Sequence, residues 1–513
     1  MKPSQPTIHT ARVGKSLLIT NIAMSLLYLS WWLNPHQIAN LPLYALLFLG
    51  EIYHVGMSLL FWHTIWPRRR TQPSQLPTHH PSVDVYITVC GEPKNIVRET
   101  AQAALNMDYT NHRIFILNDG FVANKNNWKE MEELAEELHI TCLTRKQPGG
   151  AKAGNINRAL EQTKGEYILI FDADMVPHRD FLSTVMPHFA DERVGFVQTP
   201  QYYRNYSENI VTHGAWEQQE FFFGPIMRGK DTQNSAFICG TNVVLRRSAL
   251  LEAGGMREDN IAEDFLTSLS IHQLGWKSHY IPDVLAEGMA PQDFLSYYKQ
   301  QFRWARGSLE VLFSENPLFK KNLTVSQKLE YLSSALYYTN GVIFVIDIIM
   351  PLIFLYTGIK PVAATTTSFA FFFLPFMLLN LYTLFIVSKQ QLTFRAISFS
   401  QASFTLQLSA IKSVLLKEKV GFSVTPKQAQ SGNFLRLVAP HIAYIALTAI
   451  GIIVAYTREG MNPSLATNIA WAVLPCIMFI PFIQASYDWK PVLVKLTGWF
   501  PQIPFISYGR ESS

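Results

Sequence analysis

The chain has 513 residues, 48% of them hydrophobic and only 16% charged, against a usual charged share of roughly 25%. That deficit argues against a wholly water-soluble protein, and four cysteines without paired ligand spacing argue against a disulfide framework or a zinc site. The net charge of +5 fits a surface resting on anionic lipid, so no nucleic acid is needed to explain it.

Six apolar runs reach the roughly 20 residues that cross a bilayer as helix: 16–33, 41–62, 332–358, 368–388, 437–457 and 468–486. The first is too long and too aromatic for a signal peptide, and no small-residue cleavage site follows it. Lys2, Arg12, Lys15, Arg68, Arg69 and Arg70 flank the first hairpin on one side, whereas its turn at 34–40 has neither Lys nor Arg. The loop 389–436 and the tail after Asp488 are rich in both, and the turns near 359–367 and 458–467 carry one each. The positive-inside rule then predicts a multi-pass inner (plasma) membrane protein with both termini and the globular part cytoplasmic.

The expected organisation is an N-terminal tail (1–15), a two-span hairpin (16–66), a linker with Pro and Ser concentrated at 71–81 (67–82), a cytoplasmic domain (83–315), an interface helix with spans three and four (316–388), a cytoplasmic interface helix and loop (389–436), spans five and six (437–487), and a C-terminal tail (488–513).

Within the domain, short apolar runs at 83–89, 113–117, 140–144 and 167–171 alternate with helix-like stretches at 94–106, 125–138, 151–162 and 179–190. This alternation predicts an α/β domain with a largely parallel sheet, whose ligands sit beyond the carboxyl ends of the strands. Gly91-Glu92-Pro93 follows the first strand and Asn118-Asp119-Gly120 the second; Asp172 and Asp174 follow the fourth. Two carboxylates at i and i+2 on an extended chain point the same way. Such a pair can hold a magnesium ion whose other ligands are substrate phosphates, or can simply cap a solvated turn.

In QPGGAKAGNINRAL (147–160), two glycines, Lys152 and Asn155 open a helix, a setting that favours phosphate and equally suits a plain helix start with a surface lysine. Glu263 and Asp264 head an amphipathic helix, either for its dipole or with Asp264 as a general base. In YKQQFRWARGSLE (297–309), Gln300, Arg303 and Trp304 fall at i, i+3 and i+4 and share a face. A planar guanidinium suits pyrophosphate, and an indole stacks on a sugar. A basic helix lying on the membrane would explain Arg303 and Trp304 but not Gln300. Inside the apolar runs, Glu51, His54, Asp347 and His441 are ionisable, and such residues line a wet cavity or pair between helices.

These pieces together resemble the membrane-embedded family 2 glycosyltransferases: cellulose synthase catalytic subunits and, more distantly, hyaluronan and chitin synthases. The family's spaced aspartates and Gln-x-x-Arg-Trp occur here as Asp119, Asp172/Asp174, Asp264 and Gln300-Gln301-Phe302-Arg303-Trp304. GGAKAGNIN, FICGTNVVLRR (237–247) and GFSVTPK (421–427), which looks like a bacterial cellulose synthase gating loop, extend the likeness from about Val83 to Lys427.

The resemblance implies a GT-A glycosyltransferase domain inserted between transmembrane helices, with inverting transfer from a UDP-sugar donor and Mg2+ (or Mn2+) as cofactor. It implies Glu92 and Asp119 at uridine; Lys152, Gln300 and Arg303 at the donor, with Lys152 and Arg303 on its pyrophosphate; and Asp172 and Asp174 at metal and donor. Asp264, with Glu263 beside it, would be the base. Trp304, Cys239 and Gly240 would line the acceptor site, and Phe422, Thr425 and Lys427 would close over UDP. Departures are Ala262 before Glu263, where the family has Thr, Cys90-Gly91 before Glu92, where it has Tyr-Asn, and two spans before the domain instead of four.

The expected activity is processive polymerisation of glucose from UDP-glucose into a cellulose-like β-glucan that crosses the membrane. The alternatives are a non-processive enzyme glucosylating a lipid, a synthase using UDP-N-acetylglucosamine, or a transporter with a degenerate domain, the last disfavoured by the intact acids. Expected partners are the donor, the growing polysaccharide, membrane lipid and accessory periplasmic or outer subunits, with no PilZ domain for cyclic di-GMP in the chain.

Overall fold

The computed structural model describes residue 8 and residues 10–68, 80–389, 393–418 and 432–487. Among the described residues ten strands run in chain order: β1 Val83–Val89, β2 His112–Asn118, β3 Thr141–Thr144, β4 Tyr167–Asp172, β5 Val176–Pro177, β6 Val194–Gln198, β7 Tyr202–Tyr203, β8 Val243–Arg246, β9 Lys277–Tyr280 and β10 Ala286–Gly288. Seven form a sheet of order β3-β2-β1-β4-β8-β6-β9, and β5, β10 and β7 form a second, three-stranded one. In the large sheet only β8 runs against its neighbours; β1 to β4 are parallel, as is the pair β6 and β9.

Sequence dictates this layering. VDVYITV is buried along its whole length, the habit of a strand covered by helices on both faces. Val85 and Ile87 enter one core with Val97 and Leu134, while Tyr86 faces the other with Ile156 and Ile170. Asp84 is the exception in the strand. It is fully buried, and its carboxylate accepts from Arg113 Nη2 and Arg247 Nη2, each at 2.9 Å.

The crossover helices Lys94–Leu105 and Ala151–Gln162 lie where hydrophobic periodicity predicts them. The helix expected at 125–138 starts only at Trp128, because the Asn-rich stretch before it turns back, with Lys125 N–H on Gly120 O at 2.8 Å. That expected at 179–190 divides into Phe181–Val185 and a 3-10 turn, Met186–Ala190, since Pro187 cannot donate to a continuing α-helix.

Among the described residues, five helical segments are long and apolar enough to cross a membrane: Leu41–Thr64, Val325–Thr357, Thr366–Val387, Leu435–Glu459 and Pro463–Ala485. The first expected span is a helix, Lys15–Trp32, but Lys15, Asn21 and three serines dilute its apolar character and it is not among the five. It runs antiparallel along Thr366–Val387, bonded by Asn21 Nδ2 to Thr383 Oγ1 (2.9 Å) and Trp31 Nε1 to Ser368 Oγ (3.1 Å).

The domain is tied to the spans by a buried polar knot. Lys230 Nζ, Thr64 Oγ1 and Gln233 Nε2 all donate to the Glu330 carboxylate, at 3.0, 2.8 and 2.7 Å. On the other side, Arg306 donates to Ser413 Oγ (3.1 Å) and Glu418 O (2.7 Å), fastening Phe294–Ser314 to the membrane-side helix Phe404–Leu415.

Candidate active site

Parallel register gathers the site. β1 pairs Val89 with Asn118 of β2 and Thr88 with Asp172 of β4, so Glu92, Asp119 and Asp172 leave the sheet at one level. A single cavity of about 1390 Å³ begins there. Glu92, Asp119, Lys152, Asp172, Asp174, Cys239, Gly240, Glu263, Asp264, Gln300, Arg303 and Trp304 all line it. Phe422, Thr425 and Lys427 lie outside the described residues.

Glu92 turns its Oε2 back onto Cys90 N–H at 2.6 Å. Asp119 is gripped by Arg145, Nε to Oδ1 at 2.8 Å and Nη2 to Oδ2 at 2.7 Å. Burial raises the Asp119 carboxyl, against the pull of that guanidinium. Arg145 also donates to Gly149 O and, at 3.0 Å, to Ala151 O, so it shapes the glycine loop from beneath.

Lys152 does not project freely into the cavity. Its ammonium is bonded to Asp172 Oδ1 and, at 2.8 Å, to Gly240 O. Gly240 is left-handed (φ +80°), and a Cβ there would lie 3.3 Å from Asp264 Oδ2 and 4.0 Å from Lys152 Nζ. Lysine, donor-side carboxylate and candidate base therefore converge on one backbone turn.

Asp172 and Asp174 do not share the extended stretch on which the expected i, i+2 pairing rests. The strand ends at Asp172 and the chain turns, with Met175 N–H on Asp172 O at 3.1 Å. The Asp172 side chain stays 39% exposed toward the cavity, whereas Asp174 is 1% exposed and accepts from Met289 N–H at 3.1 Å. Among the described residues no group of three or more His, Cys, Asp or Glu side chains is placed to hold an ion. Magnesium fits all the same, since phosphates and water complete its shell around one or two carboxylates, and Asp172 offers that half-open carboxylate.

Glu263 and Asp264 open the helix Glu263–Gln273. Burial raises the Asp264 carboxyl, opposed by the hydrogen bond from Phe265 N–H (2.7 Å) and by the positive charges of Lys152 and Arg303. Burial also raises Glu263, with Asp264 beside it adding to the rise. Adjacent acids in one poorly hydrated corner do not ionise together readily. The Cys239 thiol is pushed up by burial and then by Asp264; its backbone is pinned by Gln198 Oε1 (2.9 Å) and Gln201 Nε2 (2.6 Å).

Sequence reasoning missed Arg145, Gln198, Gln201 and Thr241, whose Oγ1 accepts from Asp172 N–H at 2.8 Å. Only Arg145 carries a signal, a cation just past β3 and upstream of the glycine loop. Of the donors in 297–309, Arg306 faces away from this cavity and holds the fold instead.

From the site at one end the cavity continues between the membrane helices, past Glu51, His54, Phe344, Asp347, Phe373 and Trp471, to Lys360 and Ser464 at the helix ends remote from the α/β domain.

An α/β sheet with acids at its strand ends, a Lys-bearing glycine loop and an Arg-Trp helix defines a GT-A-like glycosyltransferase domain, here among membrane helices. Residues 80–307 match the family model described as glycosyltransferase like family 2, and residues 255–404 that described as cellulose synthase. The chain belongs to the cellulose synthase-like family 2 glycosyltransferases.

The UDP-forming cellulose synthase catalytic subunit of Pseudomonas fluorescens (strain SBW25) is 30% identical over 508 residues, covering 93% of this chain and 67% of that protein. Cellulose synthase 2 of Novacetimonas hansenii is 29% identical over 93% of this chain. The catalytic subunit of Xanthomonas axonopodis pv. citri (strain 306) is 33% identical over 64%. This chain spans 31% and 47% of those last two relatives. Among solved structures, the mannosyltransferase PcManGT from Pyrobaculum calidifontis, in complex with GDP-Man and Mn2+, shares the fold, with a TM-score of 0.53 at 19% identity over 74% of this chain and 100% of that one.

Proposed function

We propose that the protein is a processive inverting glycosyltransferase that polymerises glucose from UDP-glucose into a β-glucan and passes the chain through the membrane. The observation that carries this reading is the single cavity joining Asp264 and Trp304 to Lys360 and Ser464 at the far ends of the spans. A transferase that decorates one lipid needs an opening to the bilayer and no such passage. Relatives named UDP-forming cellulose synthases support the donor.

In this reading the acceptor hydroxyl lies between Asp264 and the anomeric carbon of the donor, with its sugar stacked on Trp304. Asp264 takes the hydroxyl proton as the oxygen bonds to that carbon. The bond to UDP breaks on the opposite face, which inverts the centre. Lys152 and Arg303 neutralise the departing diphosphate, and Glu92 and Asp119 orient uridine. Asp172, with Asp174 behind it, would hold magnesium or manganese, whose positive charge stabilises the leaving diphosphate when bound. Phe422, Thr425 and Lys427 would close over the nucleotide. The catalytic domain and both termini face the cytoplasm, and accessory outer subunits would receive the chain.

The test uses purified protein in nanodiscs with magnesium and radiolabelled UDP-glucose, followed by product sizing and linkage-specific glucanases. High-molecular-weight product cut by one glucanase is expected. Label confined to a small lipid-extractable product would replace the reading with lipid glucosylation, and turnover of a different UDP-sugar alone would overturn the donor.

A further inference from the structure

Between the helices Arg247–Glu252 and Glu263–Gln273 the chain has no regular structure, yet this stretch delivers Glu263 and Asp264 to the cavity. Without a ladder of backbone hydrogen bonds, its peptide groups must find side-chain partners. Asn157 supplies them. It lies on the helix Ala151–Gln162, five positions after Lys152. Its Oδ1 accepts from Met256 N–H and its Nδ2 donates to Met256 O, both at 2.8 Å. Nδ2 also donates to Glu258 Oε1 at 2.7 Å, so both amide hydrogens and the amide oxygen are engaged. Gly255 allows this approach: its φ is +87°, and a Cβ there would lie 2.6 Å from Asn157 Oδ1. Glu258 then turns back to the start of the same helix, where a Cβ on Gly150 would collide with its carboxylate. Two contacts on one helix fix the direction of the loop as well as its place.

The hold passes on to the candidate base. Arg257 N–H donates to Thr267 Oγ1 at 3.0 Å, and that hydroxyl donates to Glu263 O at 2.6 Å. Ser268 Oγ donates to Asp264 O and accepts from Ile238 N–H, each at 2.8 Å. The first turn of the base-bearing helix is thus bonded both to the loop and to the segment entering the Cys239–Gly240 turn. Thr267 and Ser268 are fully buried. The loop also packs on the helix Phe294–Ser314, where a Cβ on Gly307 would stand 2.7 Å from Ala262 Cβ.

Of helix and loop, the helix is the fixed member. Ala153, Ile156 and Ala159 are buried in the core beneath it. Asn155 Nδ2 donates to Leu117 O at 3.0 Å, and Lys152 ends on Asp172 and Gly240. Loss of the Asn157 amide would release the loop and leave the lysine in place.

We infer that Asn157 is a positioning residue that sets the reach of Asp264 to the acceptor hydroxyl by holding residues 255–262 on the helix that carries Lys152. The inference rests on the proposed function in taking Asp264 as the base and Lys152 as a donor ligand. Misplacing a reacting group by about 1 Å costs on the order of 10²-fold in rate. The amide therefore matters to turnover and little to donor binding.

The test uses the full chain in nanodiscs. Asn157→Ala should lower kcat by about 10- to 100-fold, while UDP affinity by titration calorimetry stays within about twofold. In an Asp264→Asn background the same change should lower the residual rate by less than about twofold, because residues that act as a unit are not additive. Hydrogen exchange gives a readout independent of the donor: amides 256–264 should exchange faster in Asn157→Ala, and amides 151–160 at the wild-type rate. A wild-type kcat, a fall in rate matched by an equal fall in UDP affinity, an undiminished effect in the Asp264→Asn background, or unchanged exchange at 256–264 overturns the assignment. If thermal melting shows that Asn157→Ala has not folded, Asn157→Asp decides. That variant keeps the acceptor for Met256 N–H, loses both donated bonds and should lower kcat by at least about tenfold; a wild-type kcat there also overturns the assignment. Wild type that turns over no UDP-sugar would instead remove the proposed function, and faster exchange at 256–264 would still support Asn157 as the residue that holds the loop.

Discussion

Arg145 closes on Asp119 with both prongs of its guanidinium, at 2.8 and 2.7 Å, in a pair whose side chains are 7% and 9% exposed. The same guanidinium holds the carbonyls of Gly149 and Ala151. One side chain thus sets both the candidate uridine-binding acid and the loop that leads to Lys152.

Arg145→Lys should therefore weaken UDP binding by at least about tenfold, because an ammonium cannot span both carboxylate oxygens and the two carbonyls. Arg145→Ala should also destabilise the domain by about 3–5 kcal/mol, since it leaves a buried carboxylate unpaired. Titration calorimetry with UDP and thermal melts separate the two effects. Wild-type UDP affinity in the lysine variant would show that the fork does not shape the donor site.

Asp264→Asn should lower kcat by about 10²–10⁴, the usual worth of a positioned base, while UDP binding persists. The pH profile offers a second readout. Burial raises the Asp264 carboxyl to about 6, above the roughly 3.9 of an exposed aspartate. The base works only when deprotonated, so turnover is full well above that value and falls about tenfold per unit below it. A kcat profile flat down to pH 5 would remove Asp264 from the role.

The parallel half of the sheet was legible because β1, β2 and β4 each carry a mostly apolar run punctuated by Gly, Asp or Pro just past its end. β5, β7 and β10 were not, since two- or three-residue strands carry no periodicity and pair with segments distant in the chain. The acids, Lys152, and the face bearing Gln300, Arg303 and Trp304 could be picked out by residue type and spacing. Their partners could not. That Lys152 meets Asp172, or that Met289 N–H takes up Asp174, depends on where separate crossovers bring the chain, and no local pattern encodes that. Helix Lys15–Trp32 shows the limit of counting apolar residues: Asn21 serves a neighbouring helix through a hydrogen bond, and Ser25 and Ser30 bond back to their own helix's carbonyls, so polar groups lower its hydropathy without moving it out of the bundle.

Trp304→Ala should reduce polymer yield and length far more than UDP affinity, since the indole lines the cavity and, in the proposed reading, holds the acceptor sugar. Base-type stacking losses of about 1–3 kcal/mol per ring set the scale, or roughly 5- to 150-fold in acceptor KM. Trp304→Phe should recover part of the loss. Undiminished chain length in the alanine variant would take Trp304 out of the acceptor site.

Glu330 receives Lys230, Thr64 and Gln233 where the domain meets two membrane helices, and both Glu330 and Lys230 are 1% exposed. Glu330→Gln leaves the ammonium buried without its counter-charge, so it should cost about 3–5 kcal/mol and appear as a lowered melting temperature in detergent and increased proteolysis between domain and spans. Replacing both partners together, Lys230→Met with Glu330→Leu, removes the unpaired charge and should recover most of that loss, because apolar groups of similar volume often match a buried ion pair. Thermal melts of the single and double variants, read with UDP affinity as a check on the catalytic domain, distinguish an anchoring pair from one that acts on the chemistry. A single variant that melts like wild type would mean the knot does not hold the two halves together.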